Sequence, residues 1–110
     1  MKLRFLGRSA AQAETVDAWW RKHRPAAQDL FARELAGALR LLAKAPEVGV
    51  VYAPKAEVGV RRLILQRTRF HVYYAYDAEH QILGVLAIWS CRRGRAPSLR
   101  FFKGLADRDT

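Results

Sequence analysis

Three strand-length runs, Val58 to Leu65, Phe70 to Asp77 and Ile82 to Trp89, are joined only by Gln66 to Arg69 and Ala78 to Gln81. A parallel crossover needs a dozen or more residues, so links this short force an antiparallel meander. In the first run Val60, Arg62 and Ile64 share one face, while Arg61, Leu63 and Leu65 share the other. The middle run collects Phe70, Val72, Tyr74 and Tyr76 on one side and leaves His71 and Tyr73 opposite. The third, ILGVLAIW, is apolar on both faces and must be central or covered on both sides.

The chain ahead of the meander reads as a strand and two helices. KLRFL alternates basic and apolar residues, with Leu3 and Phe5 on one face, and Gly7 ends it. Ser9 with Gln12 three places on is a capping-box pattern. Ala13, Val16, Trp19 and Trp20 then recur at helical spacing, which predicts a helix from about Ala10 to His23. Arg24-Pro25 breaks it, because the residue before a proline is pushed out of the helical region. Pro25 suits the first turn of a second helix. Its stripe Phe31, Leu35, Ala38 and Leu42, widened by Leu30, Leu39 and Leu41, runs to about Lys44 before Pro46. So short a link implies an antiparallel helical hairpin. PEVGVVYAPKAEVG, rich in proline and glycine, reads as a loop returning to the sheet. The expected class is α+β, in the order β-α-α-β-β-β, with the hairpin packed on an antiparallel sheet.

At 110 residues the chain has the length of one domain and can bury roughly two thirds of its unfolded surface. No internal repeat and no second domain are visible. Twenty basic against ten acidic side chains give a formal charge of +10, while 51% of residues are hydrophobic. A foldable chain with this excess favours negative partners without choosing among nucleic acid, acidic protein and anionic lipid. Cys91 is the only cysteine, so no internal disulfide forms and a reducing cytoplasm is expected. The start, MKLRFLGRSAAQAE, lacks a continuous apolar segment, and no run reaches the ~18 residues of a membrane span. Export and membrane insertion are not expected, and LADRDT at the end is expected to fray.

Little catalytic chemistry is legible. His23, His71 and His80 fall on three different elements, so no metal site is expected, and no glycine-rich run precedes a helix to hold phosphate or a cofactor. Asp77 and Glu79 read as turn formers, and a Ser90–His71 pairing has no oxyanion signature. Cys91 reads as inert, although flanking arginines are of the kind that favour a thiolate.

What stands out is cationic. RRLILQRTRFHVYYAY, residues 61–76, carries Arg61, Arg62, Arg67, Arg69 and His71 among aromatics and no acid. SCRRGRAPSLRFFKG adds Arg92, Arg93, Arg95, Arg100 and Lys103, again without an acid. Charge runs often merely solvate a face. A meander, however, carries both groups toward one surface, where guanidinium groups bind phosphate or carboxylate bidentately. Tyr73, Trp89 or Phe101 nearby would suit stacking on a base. Trp20 reads as core, whereas its neighbour Trp19 must point off the buried face.

Three stretches, AWWRKHRPAAQDLFARELAGALRLLAKAPEVG, VRRLILQRTRFHVYYAYD and VLAIWSCRRGRAP, carry a resemblance in order and spacing to the RelE/ParE superfamily of bacterial type II toxins, over residues 2 to about 97. The resemblance implies one toxin domain, residues 1–97, with 98–110 as a basic tail that belongs to it or frays. RelE-like members cleave mRNA on the ribosome, which needs a base, cations for the phosphorane and an acid. Mapped here, that role falls to His71, Arg62 and Arg92. Ile64 replaces an expected lysine, and Leu99, Phe101 and Phe102 stand where a tyrosine is common.

ParE-like members stall DNA gyrase without hydrolytic residues. RTRFHVYY and AIWSCRRGRAP resemble this branch more closely, although Ser90 replaces a frequent histidine. The resemblance then implies growth inhibition and plasmid stabilisation by gyrase binding through Arg92, Arg93 and Arg95, backed by Arg61, Arg62, Arg69 and His71. It also implies an acidic antitoxin wrapping the hairpin and sheet over Trp19, Phe31, Leu35, Tyr73 and Trp89 in a toxin-antitoxin hetero-oligomer. A non-toxic RNA-binding or antitoxin-binding module is the third reading. An acid-free hairpin is explicable in all three, because its wet face is meant to be covered by an anion.

Overall fold

The computed structural model describes residues 1–53 and 59–105. Strand β1 (Lys2–Phe5) leads into α1 (Ser9–His23), a short 3-10 turn (Pro25–Ala27) and α2 (Leu30–Lys44), followed by β2 (Val50–Ala53), β3 (Val60–Leu65), β4 (Phe70–Asp77) and β5 (Ile82–Ser90). The strands form one sheet in the order β1-β5-β4-β3-β2. The meander of β3, β4 and β5 is antiparallel, as the short links require. The architecture is α+β with both helices packed on a sheet that begins with the first strand.

Two details differ from the sequence expectation. The sheet is mixed, because β1 pairs in parallel with β5, Leu3 opposite Leu83 and Phe5 opposite Val85. The expected returning loop also contains a strand: Val50 and Val51 pair with Arg62 and Arg61. The β-branched pair Val50-Val51 overrides the prolines and glycines around it once an open edge of β3 is available. The expected first residue of the meander, Val58, lies outside the described residues, as do 54–57 of the loop.

Each helix buries the stripe its spacing foretold. Leu30, Phe31, Leu35, Ala38 and Leu42 of α2 are buried, and Ala13, Val16 and Trp20 of α1 pack against the same cluster. Leu41 turns outward and is 44% exposed, which narrows the stripe. From the sheet, Leu65, Val72, Tyr74, Leu83, Val85 and Ile88 face the helices. Tyr74 extends this packing to the segment before β2: its hydroxyl donates to the Pro46 carbonyl (2.8 Å) and accepts from the Gly49 N–H (2.9 Å). Burial pushes its phenol pKa up, against the opposing hydrogen bond from Gly49 and the charge of Arg61.

The capping box does not form. Ser9 is already inside α1, and its hydroxyl donates to the Val85 carbonyl (3.0 Å), while Gln12 accepts from the Ile88 N–H (2.8 Å). Strand β5 carries a bulge at this level. Tyr73 faces Ala87 and Tyr74 faces Val85, so Leu86 is the extra residue. Past the end of β1 the Val85 carbonyl still accepts from the Leu6 N–H (2.8 Å), but the Ile88 N–H lies beyond the reach of β1, and a backbone donor of this kind must find an acceptor. Gln12 supplies it, and the fully buried Ser9 adds a second hydrogen bond to the Val85 carbonyl.

The second face of the sheet is covered too. Leu6, Val60, Tyr73, Ala75, Ile82, Leu86, Ala87 and Leu105 form a buried cluster, with Leu99, Phe101 and Phe102 packed on it. The C-terminal segment is thus held on the sheet as far as Leu105, which has no exposed surface; the rest of LADRDT, residues 106–110, lies outside the described residues. Gly7 adopts φ 56°, where a Cβ would stand 2.7 Å from the Phe101 ring. At Gly84 a Cβ would meet Leu105 Cδ2 at 2.5 Å and Leu6 Cδ1 at 2.9 Å. Gly84→Val should therefore cost about 1–3 kcal/mol through overpacking. A lower urea midpoint together with faster chymotryptic cleavage at Phe101 and Phe102 is the expected outcome.

Candidate functional site

The site grows from the β3–β4 turn. Arg69 closes that turn with φ 65°, its N–H bonded to the Leu65 carbonyl (2.8 Å) and its own carbonyl accepting from Cys91 N–H (3.0 Å). That bond ties the turn to the chain leaving β5. From below, Glu34 of α2 accepts from the Arg67 N–H (2.7 Å), the Thr68 N–H (3.0 Å) and the Thr68 hydroxyl (2.6 Å). Burial pushes the Glu34 carboxyl up, but the Thr68 hydroxyl, the two N–H groups and the Arg67 charge together outweigh it and hold the group below its ordinary range.

Beside the turn, the chain after β5 folds back. The Ser90 hydroxyl accepts from the Arg92 N–H (3.1 Å), so the serine at this position shapes the bend. Trp89 donates its indole N–H to the Arg95 carbonyl (2.9 Å), and the Arg93 guanidinium lies 4.0 Å from its ring centroid. Across from both, at the end of α1, the Arg24 guanidinium sits 5.0 Å from the Trp19 ring and 5.8 Å from the Trp20 ring. Trp19 is 44% exposed and stacks on His23 at 4.7 Å.

Between these elements lies a cleft of about 380 Å³, with Val16, Trp19, Trp20 and Phe70 as its apolar lining and Arg24, Arg67, Arg69, Arg92 and Arg93 among its polar residues. A second groove of about 400 Å³ shares Val16, Phe70 and Arg93 and adds Arg8, Trp89 and Arg95. No carboxylate lines either one among the described residues. Among the described residues the Arg–carboxylate pairs, Arg21–Asp17 and Arg33–Asp29, lie away from the cleft, and of its cations Arg67 shares the field of Glu34, whereas Arg69, Arg92 and Arg93 form no ion pair.

The expected convergence therefore holds for part of the set. Arg67, Arg69, Arg92 and Arg93 come together, and Arg95 adjoins them. Arg61 does not: it donates to the carbonyls of Glu47 (3.0 Å) and Gly49 (2.8 Å), clamping the segment before β2. Arg62 emerges on the opposite face of β3, over Tyr52 (5.3 Å) and beside the Tyr73 hydroxyl (3.5 Å). His71 shares that face, in register with Ile64 and Trp89. Its ring nitrogens lie 3.5 and 3.8 Å from Cys91 Sγ, nearly equidistant, so the sulfur does not point along one nitrogen lone pair. Burial first, then the charges of Arg62 and Arg69, hold the imidazole pKa below its ordinary range. His71 is thus neutral at pH 7, and no carboxylate contacts it to complete an acid–base pair among the described residues.

Of the residues expected under an antitoxin, Trp19 is exposed, Trp89 is half-buried, and Phe31, Leu35 and Tyr73 are buried at 1%, 9% and 2% exposure. The last three shape the surface from beneath. Sequence reading missed Arg24, taken only as a helix break, and Glu34. Glu34 carried a signal, since it lies three residues from Phe31 and four from Ala38, on the stripe that α2 buries. Asp77, Glu79 and His80 bring three ligand atoms within 4.8 Å of one another in the β4–β5 turn. There Asp77 accepts from both the backbone and the ring of His80, as a turn former does.

A strand-first sheet backed by two helices, with an arginine-lined cleft where one turn meets the chain leaving β5, defines a small α+β domain of the RelE/ParE-like fold. The chain matches the family described as the ParE toxin of the type II toxin-antitoxin system, parDE, over residues 3–94, and it belongs to that family. The match runs from β1 through Arg92 and Arg93. Membership implies a cognate antitoxin. No curated protein matches the chain. Among the described residues, no helix is long and apolar enough to cross a membrane.

Two outcomes test this geometry. Glu34→Ala should destabilise the protein by about 2 kcal/mol by stripping three donors of their acceptor. Because the folded carboxyl is more acidic than the unfolded one, this contribution is present above the unfolded value of ~4.3 and is lost as pH falls through the folded value. Urea melts of both proteins should converge on acidification. Arg69→Gly should raise stability by roughly 1 kcal/mol, since the left-handed region penalises a side chain by about that much.

Proposed function

We propose that this chain is a toxin that inhibits growth by engaging DNA gyrase, and that its cognate antitoxin neutralises it. The observation that carries this reading is the cleft, where Arg69, Arg92 and Arg93 gather from two separate segments without a carboxylate partner among the described residues. Unpaired guanidinium groups over an apolar lining are suited to binding an anionic surface and do not by themselves move a proton. Gyrase engagement as such requires no catalytic residue in the toxin.

The enzymatic alternative is a ribosome-dependent mRNA endonuclease built on Arg62, His71 and Arg92. Its supporting observation is the neutral imidazole beside Arg62 and Tyr73, which is competent as a base. Against it, Arg92 belongs to the cleft while Arg62 emerges on the opposite face, and Phe101 and Phe102 pack on the second hydrophobic cluster. The site thus favours docking over phosphodiester chemistry. A non-toxic module is the remaining reading, and growth under regulated expression addresses it.

Purified protein should inhibit gyrase supercoiling and accumulate cleaved DNA. Replacing Arg92 and Arg93 together by alanine should weaken inhibition at least tenfold while changing stability by no more than about 1 kcal/mol, the scale of an exposed arginine-on-indole contact. Undiminished potency would remove these residues from the contact. New mRNA ends at the ribosomal A site, abolished by His71→Ala, would replace the gyrase reading with the nuclease one.

A further inference from the structure

The cleft combines two features that a simple polyanion does not use together. Its cations come from three places: Arg24 after α1, Arg67 and Arg69 in the β3–β4 turn, and Arg92 and Arg93 after β5. Its apolar part is formed by Val16, Trp20 and Phe70, which pack on the main core, with the exposed Trp19 beside them. A volume of about 380 Å³ can take one large side chain together with flanking backbone.

The aromatic rings at the rim, Trp19 and Trp89, are already engaged, whereas Trp20 and Phe70 lie deeper, packed on the core. Arg24 and His23 lie on Trp19, at 5.0 and 4.7 Å, and Arg93 covers Trp89 at 4.0 Å, while Arg24 reaches Trp20 only at 5.8 Å. Base stacking, on which single-stranded nucleic acid recognition depends, thus competes with contacts already made. Charge complementarity with an apolar centre instead matches the usual anatomy of a protein contact, in which one buried anchor is surrounded by polar partners.

We infer that this cleft is a docking site for an acidic segment of the target polypeptide carrying a single large apolar side chain, which enters between Val16, Trp20 and Phe70 while its flanking carboxylates meet Arg69, Arg92 and Arg93. The inference rests on the reading of the same cleft as the target contact. It adds that the toxin recognises protein rather than DNA there, and that an apolar anchor sets the affinity. The left-handed Arg69 fits this role, since strain of that kind is retained where a side chain must be aimed.

The test uses the full chain and a synthetic peptide of one phenylalanine flanked by glutamates and aspartates, followed by tryptophan fluorescence at physiological ionic strength. Controls are the same peptide with alanine at the anchor and an oligothymidylate of equal charge. The phenylalanine peptide should bind at least tenfold more tightly than either control, as burial of one aromatic side chain predicts. Thr15→Trp, which adds bulk at an exposed position lining the cleft, should erase that preference while leaving the thermal melt unchanged. Arg69→Glu should weaken both peptides alike, which separates the charge contribution from the anchor.

Equal binding of the two peptides, or preference for the oligothymidylate, would overturn the inference and give the site to a polyanion. Excess phenylalanine peptide should also relieve gyrase inhibition. Anchor-dependent binding without such relief would assign the cleft to a different protein partner and overturn the target assignment while gyrase inhibition stood. Failure of the protein to inhibit gyrase at all would sink the proposed function, and anchor-dependent peptide binding would still decide the chemistry of the cleft.

Discussion

Strand β5 is buried on both faces, and the rest of the molecule is arranged to cover it. Leu83, Val85 and Ile88 require the helices, while Ile82, Leu86 and Ala87 require Leu6 and the C-terminal segment. A strand so apolar would be an aggregation hazard at an edge. Parallel pairing with β1 on one side and antiparallel pairing with β4 on the other place it inside the sheet. Because β5 is held so completely, the direction in which its chain leaves at Ser90 is fixed, and with it the position of Arg92 and Arg93.

Where β1 stops short, β5 presents a backbone N–H at Ile88 that α1 satisfies. The buried Ser9 and the half-buried Gln12 meet the backbone of β5 where β1 has ended, and this anchors α1 to the sheet at its first turns. At its far end α1 carries Trp19, Trp20 and Arg24 to the cleft. Glu34 does the equivalent work for α2 by gripping the β3–β4 turn. Each helix thus contributes a polar residue that sets the sheet's geometry, and the cations at the cleft occupy the end where those attachments meet.

Periodicity made most of the framework legible. The α2 stripe, the antiparallel meander and the double-sided burial of ILGVLAIW all follow from spacing and link length. Strand β2 and the parallel direction of β1 were not legible, because an edge strand of four residues is decided by what it lies beside. The capping-box reading of Ser9 and Gln12 failed for a related reason: a local motif competed with a tertiary acceptor at Val85 and a donor at Ile88 that appear only once β5 lies beside α1. Among the arginines, sequence spacing grouped Arg61 and Arg62 with Arg69. The strand alternation separates those two, sending Arg61 to the carbonyls of Glu47 and Gly49 and Arg62 to the face of Tyr52 and Tyr73.

The amino-acid order by itself determined the α+β class, the two helical stripes, the meander and the net positive charge, since each depends on neighbours within a few residues or on simple counting. Tertiary structure alone decided which cations share a surface. Arg24, Arg69 and Arg92 lie far apart along the chain and on different elements, and only the docking of α1 against the start of β4 and the end of β5 brings them around one apolar cleft.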